Sequence, residues 1–188
     1  MHSTEHSNHT SASSSKHNSG EELPSVDVVA SISVVLEMLV EDNEKNSEKL
    51  SAVIAEQKEL PFYYHKIPKL SLREYLERIC LYLEFSDSTL IVALIYIDRI
   101  CEKKGILLTR KNIYRLLFTA ILLSVKFNED HRYKLDFCAK VAGVRLGELA
   151  EYEETFIDIM NFEFYVSEEE FFVYKNHVLL LSKDDDKM

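Results

Sequence analysis

Three kinds of side chain in this sequence could do chemistry: clustered carboxylates, histidines and cysteines. Glu151, Glu153 and Glu154, and again Glu168, Glu169 and Glu170, place acids one to three residues apart. Paired carboxylates divide acid and base roles when their surroundings push their pKa values apart. Runs of this spacing on a helix are more simply a solvated face. His65, His131 and His177 are far apart in sequence and read as surface or helix-end residues. His2, His6, His9 and His17 sit in a polar stretch at irregular spacing with no cysteine among them, which is not a zinc pattern. Cys80, Cys101 and Cys138 are odd in number, form no CxxC, and each lies in an apolar helical run. They read as reduced thiols acting as small hydrophobes. The phosphate loop GxxxxGK[ST], the dinucleotide fingerprint GxGxxG, the nucleophile elbow GxSxG and the metalloprotease HExxH are absent. Ile97-Asp98-Arg99 falls inside a helical pattern and is not a kinase catalytic loop. The expectation is a protein with no catalytic residues, no metal and no cofactor, hence not an enzyme.

The charge with most to explain is Lys126. It closes an uncharged, largely apolar run, Leu116 to Val125, preceded by Arg115. A charge at the end of such a run either snorkels to water or finds a partner. The plainer reading is a helix C-terminal lysine that complements the macrodipole.

The elements that must position these residues follow from composition and period. The chain has 188 residues, 46% hydrophobic and 29% charged, which is one domain plus tails with material for a core. Four Gly and three Pro are too few for an all-β fold. A net charge of −10 disfavours nucleic acid as a partner. The longest apolar run is half of the roughly 20 residues needed to cross a bilayer, so no membrane role is expected. A polar N-terminus without a signal pattern adds the expectation of an intracellular protein, cytoplasmic and/or nuclear.

Residues 1–22 are rich in Ser, His, Asn and Thr and read as a disordered polar tail. Residues 23–60 read as an N-terminal helical extension. Val28, Ile32, Val35 and Leu39 form its stripe, Leu50, Val53 and Ile54 suggest a further turn or two, and Pro61 stops it. The helix Val26 to Val40 either contacts a partner or simply packs on the bundle. An extended aromatic linker follows, from Pro61 to Pro68. Ser71 with Glu74 is a capping box ahead of the stripe Leu72, Tyr75, Leu76, Ile79, Leu83. Ser86 caps the next helix, which stops at Gly105. Thr109 caps a third, Arg110 to about Asn128, apolar on nearly every side and therefore central. Lys134 to Ala142 ends at Gly143. Arg145 to Asn161 follows, with Leu146, Leu149, Phe156, Ile159 and Met160 inward. Phe162 to Val166 is too short to build a sheet. Residues 167–188 read as a short C-terminal helix, opened by the capping box Ser167 and Glu170 and reaching Leu181, with an acidic end at Asp184-Asp185-Asp186.

Four ordered blocks carry a family resemblance over more than half the chain, from about Phe62 to Phe172. Ile67-Pro68-Lys69-Leu70-Ser71-Leu72-Arg73-Glu74-Tyr75-Leu76-Glu77-Arg78-Ile79 is the first. Ala93-Leu94-Ile95-Tyr96-Ile97-Asp98-Arg99-Ile100 is the second, and Leu108-Thr109-Arg110-Lys111-Asn112-Ile113-Tyr114-Arg115-Leu116-Leu117 the third. Ala139-Lys140-Val141-Ala142-Gly143 is the fourth. In order and spacing they resemble the P/U-type, phosphate-system-like cyclins, a single cyclin box family. The resemblance implies an all-α fold: a five-helix cyclin box, here at residues 61–166, with an additional N-terminal helix and a short C-terminal one. It also implies a regulatory subunit that binds and activates a cyclin-dependent, proline-directed Ser/Thr protein kinase. The alternative is a non-kinase adaptor or transcription-factor-like helical scaffold with a cyclin-like box.

By the same resemblance, a lysine late in the third box helix and a glutamate in the fifth form the polar centre of the kinase-binding face. Lys126, with Phe127 beside it, and Glu153, with Glu154 as the one-residue alternative, occupy those places. Kinase substrates or inhibitors are further candidate partners. Asp130 and Tyr133 survive from the family's loop after the third helix, although its Asn pair does not, which leaves that loop's docking role open. The M-R-A-I-L groove motif of cell-cycle cyclins is absent, and there is no Trp. A basic cluster of Arg99, Lys103, Lys104, Arg110, Lys111 and Arg115 either holds an acidic or phosphorylated segment or consists of ordinary helix-end charges.

Overall fold

The computed structural model describes residues 26–46, 51–130 and 132–185. The polar tail with its four histidines, Leu50 and His131 lie outside them. Among the described residues the regular structure is helical throughout: α1 (Val26–Lys45), α2 (Ser51–Gln57), α3 (Leu72–Tyr82), α4 (Asp87–Lys104), α5 (Ile113–Asn128), α6 (Leu135–Ala142), α7 (Leu146–Met160) and α8 (Glu168–Asp185).

The helix that is apolar all round is the central one. Every residue of α5 from Leu116 to Val125 is buried, and α3, α4, α6 and α7 all pack on it. These five helices form the bundle. Outside them, α1 lays Val28, Val29, Ile32, Leu36 and Val40 inward and packs on α3 and α8. Its Met38 and Leu39 remain exposed. The linker is fixed by Phe62, which is 1% exposed. Its ring lies 5.9 Å from that of Tyr152 and edge-on to Phe156 at 6.1 Å.

Local signals mostly place the helix starts. Ser71 and Glu74 form the full capping box: the Ser71 hydroxyl accepts from the Glu74 amide at 3.2 Å, and the Glu74 carboxylate accepts from the Ser71 amide at 2.8 Å. Thr109 does not cap α5. The Asn112 side chain accepts from the Thr109 amide at 2.8 Å and closes a separate turn, so the helix begins at Ile113. An Asx-type bond of this kind competes with helix extension. Leu146, expected inward, is half exposed, because it is the first residue of α7 and precedes the stripe of Leu149, Tyr152, Phe156 and Met160. The terminal helix is longer than the short one expected. It runs to Asp185, into the acidic end, since no Gly or Pro interrupts it.

The break after α7 is made by two left-handed residues, Asn161 (φ 50) and Phe162 (φ 60). Asn tolerates this conformation and serves as a helix stop; for a bulky ring it is uncommon. The turn is held from α4. The Arg99 guanidinium donates to the Glu163 and Tyr165 carbonyls at 3.0 Å each and pairs with Glu170 at 2.7 Å. Lys103 pairs with Glu163 at 3.0 Å. At Ser167 only half a capping box forms, because Glu170 turns to Arg99 and not back to the Ser167 amide.

Three carboxylates at these junctions sit below their usual range. Glu74 is lowered by hydrogen bonds from the Ser71 backbone and hydroxyl, Glu148 by the Arg145 side chain and backbone, and Glu163 by Lys103. A carboxylate depressed in the folded state contributes stability that is complete above its unfolded pKa. That contribution is lost as pH falls through the lower folded value. The melting temperature should therefore hold through neutral pH and fall below about pH 4.5. Glu148→Gln should shrink that acid-side loss. Parallel acid limbs for wild type and variant in a pH series of thermal melts would remove Glu148 from the account.

Candidate functional site

The last turn of α5 carries Lys126 and Phe127 out of the core at the place where α7 crosses it. Lys126 Nζ donates to Glu153 Oε1 in a close ion pair. The Glu153 carboxylate is buried, whereas the Lys126 side chain is 39% exposed. The pair is thus a charge held at the edge of the core, open to solvent on its lysine side. One residue on, about 100° around the helix, Glu154 faces solvent. Of the two glutamates the sequence offers, Glu153 is the one brought to Lys126.

Aromatic surface flanks the pair. Phe127 is 55% exposed, and its ring stacks on Phe164 at 4.5 Å and 17°. Phe164 is held from α4 by Tyr96, whose hydroxyl donates to the Phe164 carbonyl at 2.9 Å and whose ring meets Phe164 edge-on at 5.2 Å. The same segment presents Phe162 and Tyr165 to water, at 74% and 84% exposure. Exposed large aromatics beside a charge pair have the makeup of a protein interface core. Below the pair, Cys138 is buried and its thiol is pushed up to about 11 by burial, with Lys126 pulling the other way. It is a neutral thiol, not a nucleophile.

Glu129, one step past α5, locks this end of the bundle. Its carboxylate accepts from the Ser86 amide at 2.9 Å, from the Ser86 hydroxyl at 3.0 Å, and from the Thr89 hydroxyl. It thereby takes over the capping of α4, which the sequence assigns to the Ser86 side chain, and places a negative charge at that helix's positive end. Asp130 is exposed. Tyr133 is half-buried; its hydroxyl accepts from the Glu84 amide at 2.6 Å and its ring stacks on Phe137 at 5.9 Å.

Of the six cations read either as one cluster or as helix-end charges, Arg110, Lys111 and Arg115 line one pocket, and Arg99, Lys103 and Lys104 do not join them. Gly105 ends α4, and the turn that follows carries the chain away. Arg99 and Lys103 are used to pin the segment after α7, and Lys104 is exposed. Arg110 is drawn to Glu44 and Glu41 of α1, at 3.4 and 3.7 Å. Arg115 donates to the Pro61 and Tyr63 carbonyls at 2.9 and 3.0 Å.

Sequence reasoning missed Tyr96, Phe164 and Glu129 as supports of this face. Tyr96 lies inside a quoted block, so a polar atom in a buried stripe was the signal available for it; the other two depend on contacts across the fold. Among the described residues no group of three or more His, Cys, Asp or Glu is arranged to hold a metal. No described helix is long and apolar enough to cross a membrane.

Comparison with known proteins bears on what this face belongs to. The chain is 32% identical over 152 residues to Cyclin-U2-1 of Arabidopsis thaliana, covering 80% of this chain and 67% of that one. It is 32% identical over 151 residues to Cyclin-P2-1 of Oryza sativa subsp. japonica, covering 80% and 70%. To PHO85 cyclin-7 of Saccharomyces cerevisiae it is 29% identical over 173 residues, covering 82% and 61%. The profile described as Cyclin matches residues 26–164, which takes in the whole five-helix bundle with α1 and α2. With that match spanning most of the chain and relatives of the U and P types alongside it, the chain belongs to the cyclin family.

Proposed function

We propose that this chain is a regulatory cyclin that binds and activates a cyclin-dependent, proline-directed Ser/Thr protein kinase through the surface around Lys126 and Glu153. The observation that carries the reading is the ion pair at the junction of α5 and α7, buried on its glutamate side and open on its lysine side, with Phe127 exposed beside it. One relative is named as a cyclin of PHO85, which supports a dedicated partner for this chain too.

The chemistry would belong to the partner. A kinase needs its own Lys–Glu ion pair in place before it can transfer a phosphoryl group. A rigid face that binds the active arrangement better than the inactive one raises the active population by its differential affinity and nothing more. Lys126 offers donors to backbone carbonyls of the kinase's movable helix, Glu153 fixes the direction of Lys126, and Phe127 supplies apolar contact. Such an interface buries at least about 1,200 Å² in total, with a few anchors dominating.

The test is reconstitution. Purified chain and purified cyclin-dependent kinases are mixed, co-elution is followed by size exclusion, and phosphorylation of a Ser-Pro peptide is measured. At least one kinase should co-elute and gain about tenfold or more in rate, as expected when an active state of a few per cent becomes dominant. Kinases that neither bind nor gain activity would overturn the proposal. Capture of a non-kinase partner in their place would favour the adaptor alternative.

A further inference from the structure

A pocket of about 430 Å³ opens between the linker, α3, the start of α5 and the turn into α7. It lies about 16 Å along α5 from Lys126, by the helical rise from Arg115, and is no part of the face described above. Six cations line it, Lys66, Lys69, Arg78, Arg110, Lys111 and Arg115, against one carboxylate, Glu148. In a chain of net charge −10 this is a local reversal of sign.

The cations differ in what they have to spare. Arg110 is engaged with α1, and Lys111 lies over the Tyr63 ring at 5.5 Å. Arg115 is fixed by two linker carbonyls, faces Glu148 at 3.7 Å, and stacks over the rings of Tyr64 at 4.4 Å and Tyr152 at 4.9 Å. Lys66, Lys69 and Arg78 are exposed and form no ion pair among the described residues.

A second observation points to a ligand. Tyr152 lines the pocket and is only 2% exposed. Among the described residues its hydroxyl is the buried side-chain polar atom with no hydrogen-bond partner. A buried donor left unmade destabilises the fold that buries it. Burial pushes this phenol up to about 12, with Arg115 pulling it down, so it keeps its proton and has a donor to place. What it lacks is a partner, and what surrounds it is positive charge.

We propose that this pocket binds a phosphorylated serine or threonine presented on an extended segment of a partner protein. The phosphoryl oxygens would accept from the Tyr152 hydroxyl and from Arg78, with Lys66 and Lys69 adding charge at the rim. Phosphate oxygens are strong acceptors suited to guanidinium donors. A peptide is favoured over a small phosphate compound by the rim. Ile67 and Leu70, 43% and 39% exposed, lie along the same wall as Lys66 and Lys69, and a flanking residue of a peptide can use apolar surface that a bare anion cannot.

The test uses the full chain and a fluorescent pool of short peptides with random residues around one phosphoserine. Anisotropy titrations compare it with the same pool carrying serine, and with inorganic phosphate as competitor. The phosphorylated pool should bind about tenfold more tightly than the serine pool, the size of one charge-assisted hydrogen bond. Tyr152→Phe and Arg78→Glu should each abolish most of that preference, while Lys104→Glu, outside the pocket, should leave it unchanged. Tyr152→Phe should melt no lower than wild type, because it removes an unpartnered group. Equal binding of the two pools, displacement by inorganic phosphate at the peptide's own concentration, or wild-type preference in both pocket variants would overturn the proposal. So would a Tyr152→Phe protein that melts well below wild type, since the hydroxyl would then have a partner within the fold.

Discussion

Replacing Lys126 and Glu153 together with alanine should cost kinase binding at least about thirtyfold, or 2 kcal/mol, while the melting temperature stays close to wild type. The two single variants divide the effect differently. Lys126→Ala leaves the Glu153 carboxylate buried without its partner, a penalty of about 1–3 kcal/mol on folding that the double variant relieves. Glu153→Ala leaves an ammonium that is already part-exposed and can turn to water, so the fold loses little. Binding should still fall, because the lysine is no longer aimed. A double-mutant cycle, run once on stability and once on affinity, separates the two roles. Unchanged affinity with a large loss of stability in the double variant would make the pair a structural element and remove the carrying observation of the proposed function.

Phe62→Ala should produce the largest loss of stability. The ring is 1% exposed and packs on Tyr152 and Phe156 of α7. Truncating a fully buried Phe to Ala costs about 3–5 kcal/mol, because the lost transfer energy is joined by a cavity. In a domain of this size that is a fall of roughly 10 °C in Tm, and a large part of a total stability of about 5–15 kcal/mol. Phe62→Leu, which keeps most of the volume, should lose under about 1.5 kcal/mol. Thermal and urea unfolding of the pair measure this directly. An alanine variant within about 1 kcal/mol of wild type would show that the site collapses around the missing ring.

What could be read from the sequence was what is local in the chain. The Ser71–Glu74 box, the stop at Gly105 and the apolar middle of α5 are set by neighbours within a few residues, and each is found where the pattern places it. The errors share a cause in distance. Ser86 stands at the head of α4 as expected, but its hydroxyl serves Glu129, 43 residues on. Thr109 is the exception, a local contest: it looks like a cap, but Asn112, three residues on, closes its own turn around it. The six cations look contiguous along the chain and are separated by the path it takes after Gly105. For the candidate site, spacing alone left Glu153 and Glu154 open; the choice needed the rotation of α7 against α5, which no short-range pattern encodes. The orphaned Tyr152 hydroxyl is a fact of packing and had no counterpart in the sequence.

The clamp at Glu129 has a consequence for any complex this chain makes. By tying the exit of α5 to the entrance of α4 through three donors, it braces the backbone that carries Lys126 and Phe127 before another molecule arrives. The entropy of becoming ordered then falls mainly on the visitor. The cyclin would act as a mould, and the stiffness of one acid–hydroxyl knot would set how faithfully a pliant enzyme copies its shape.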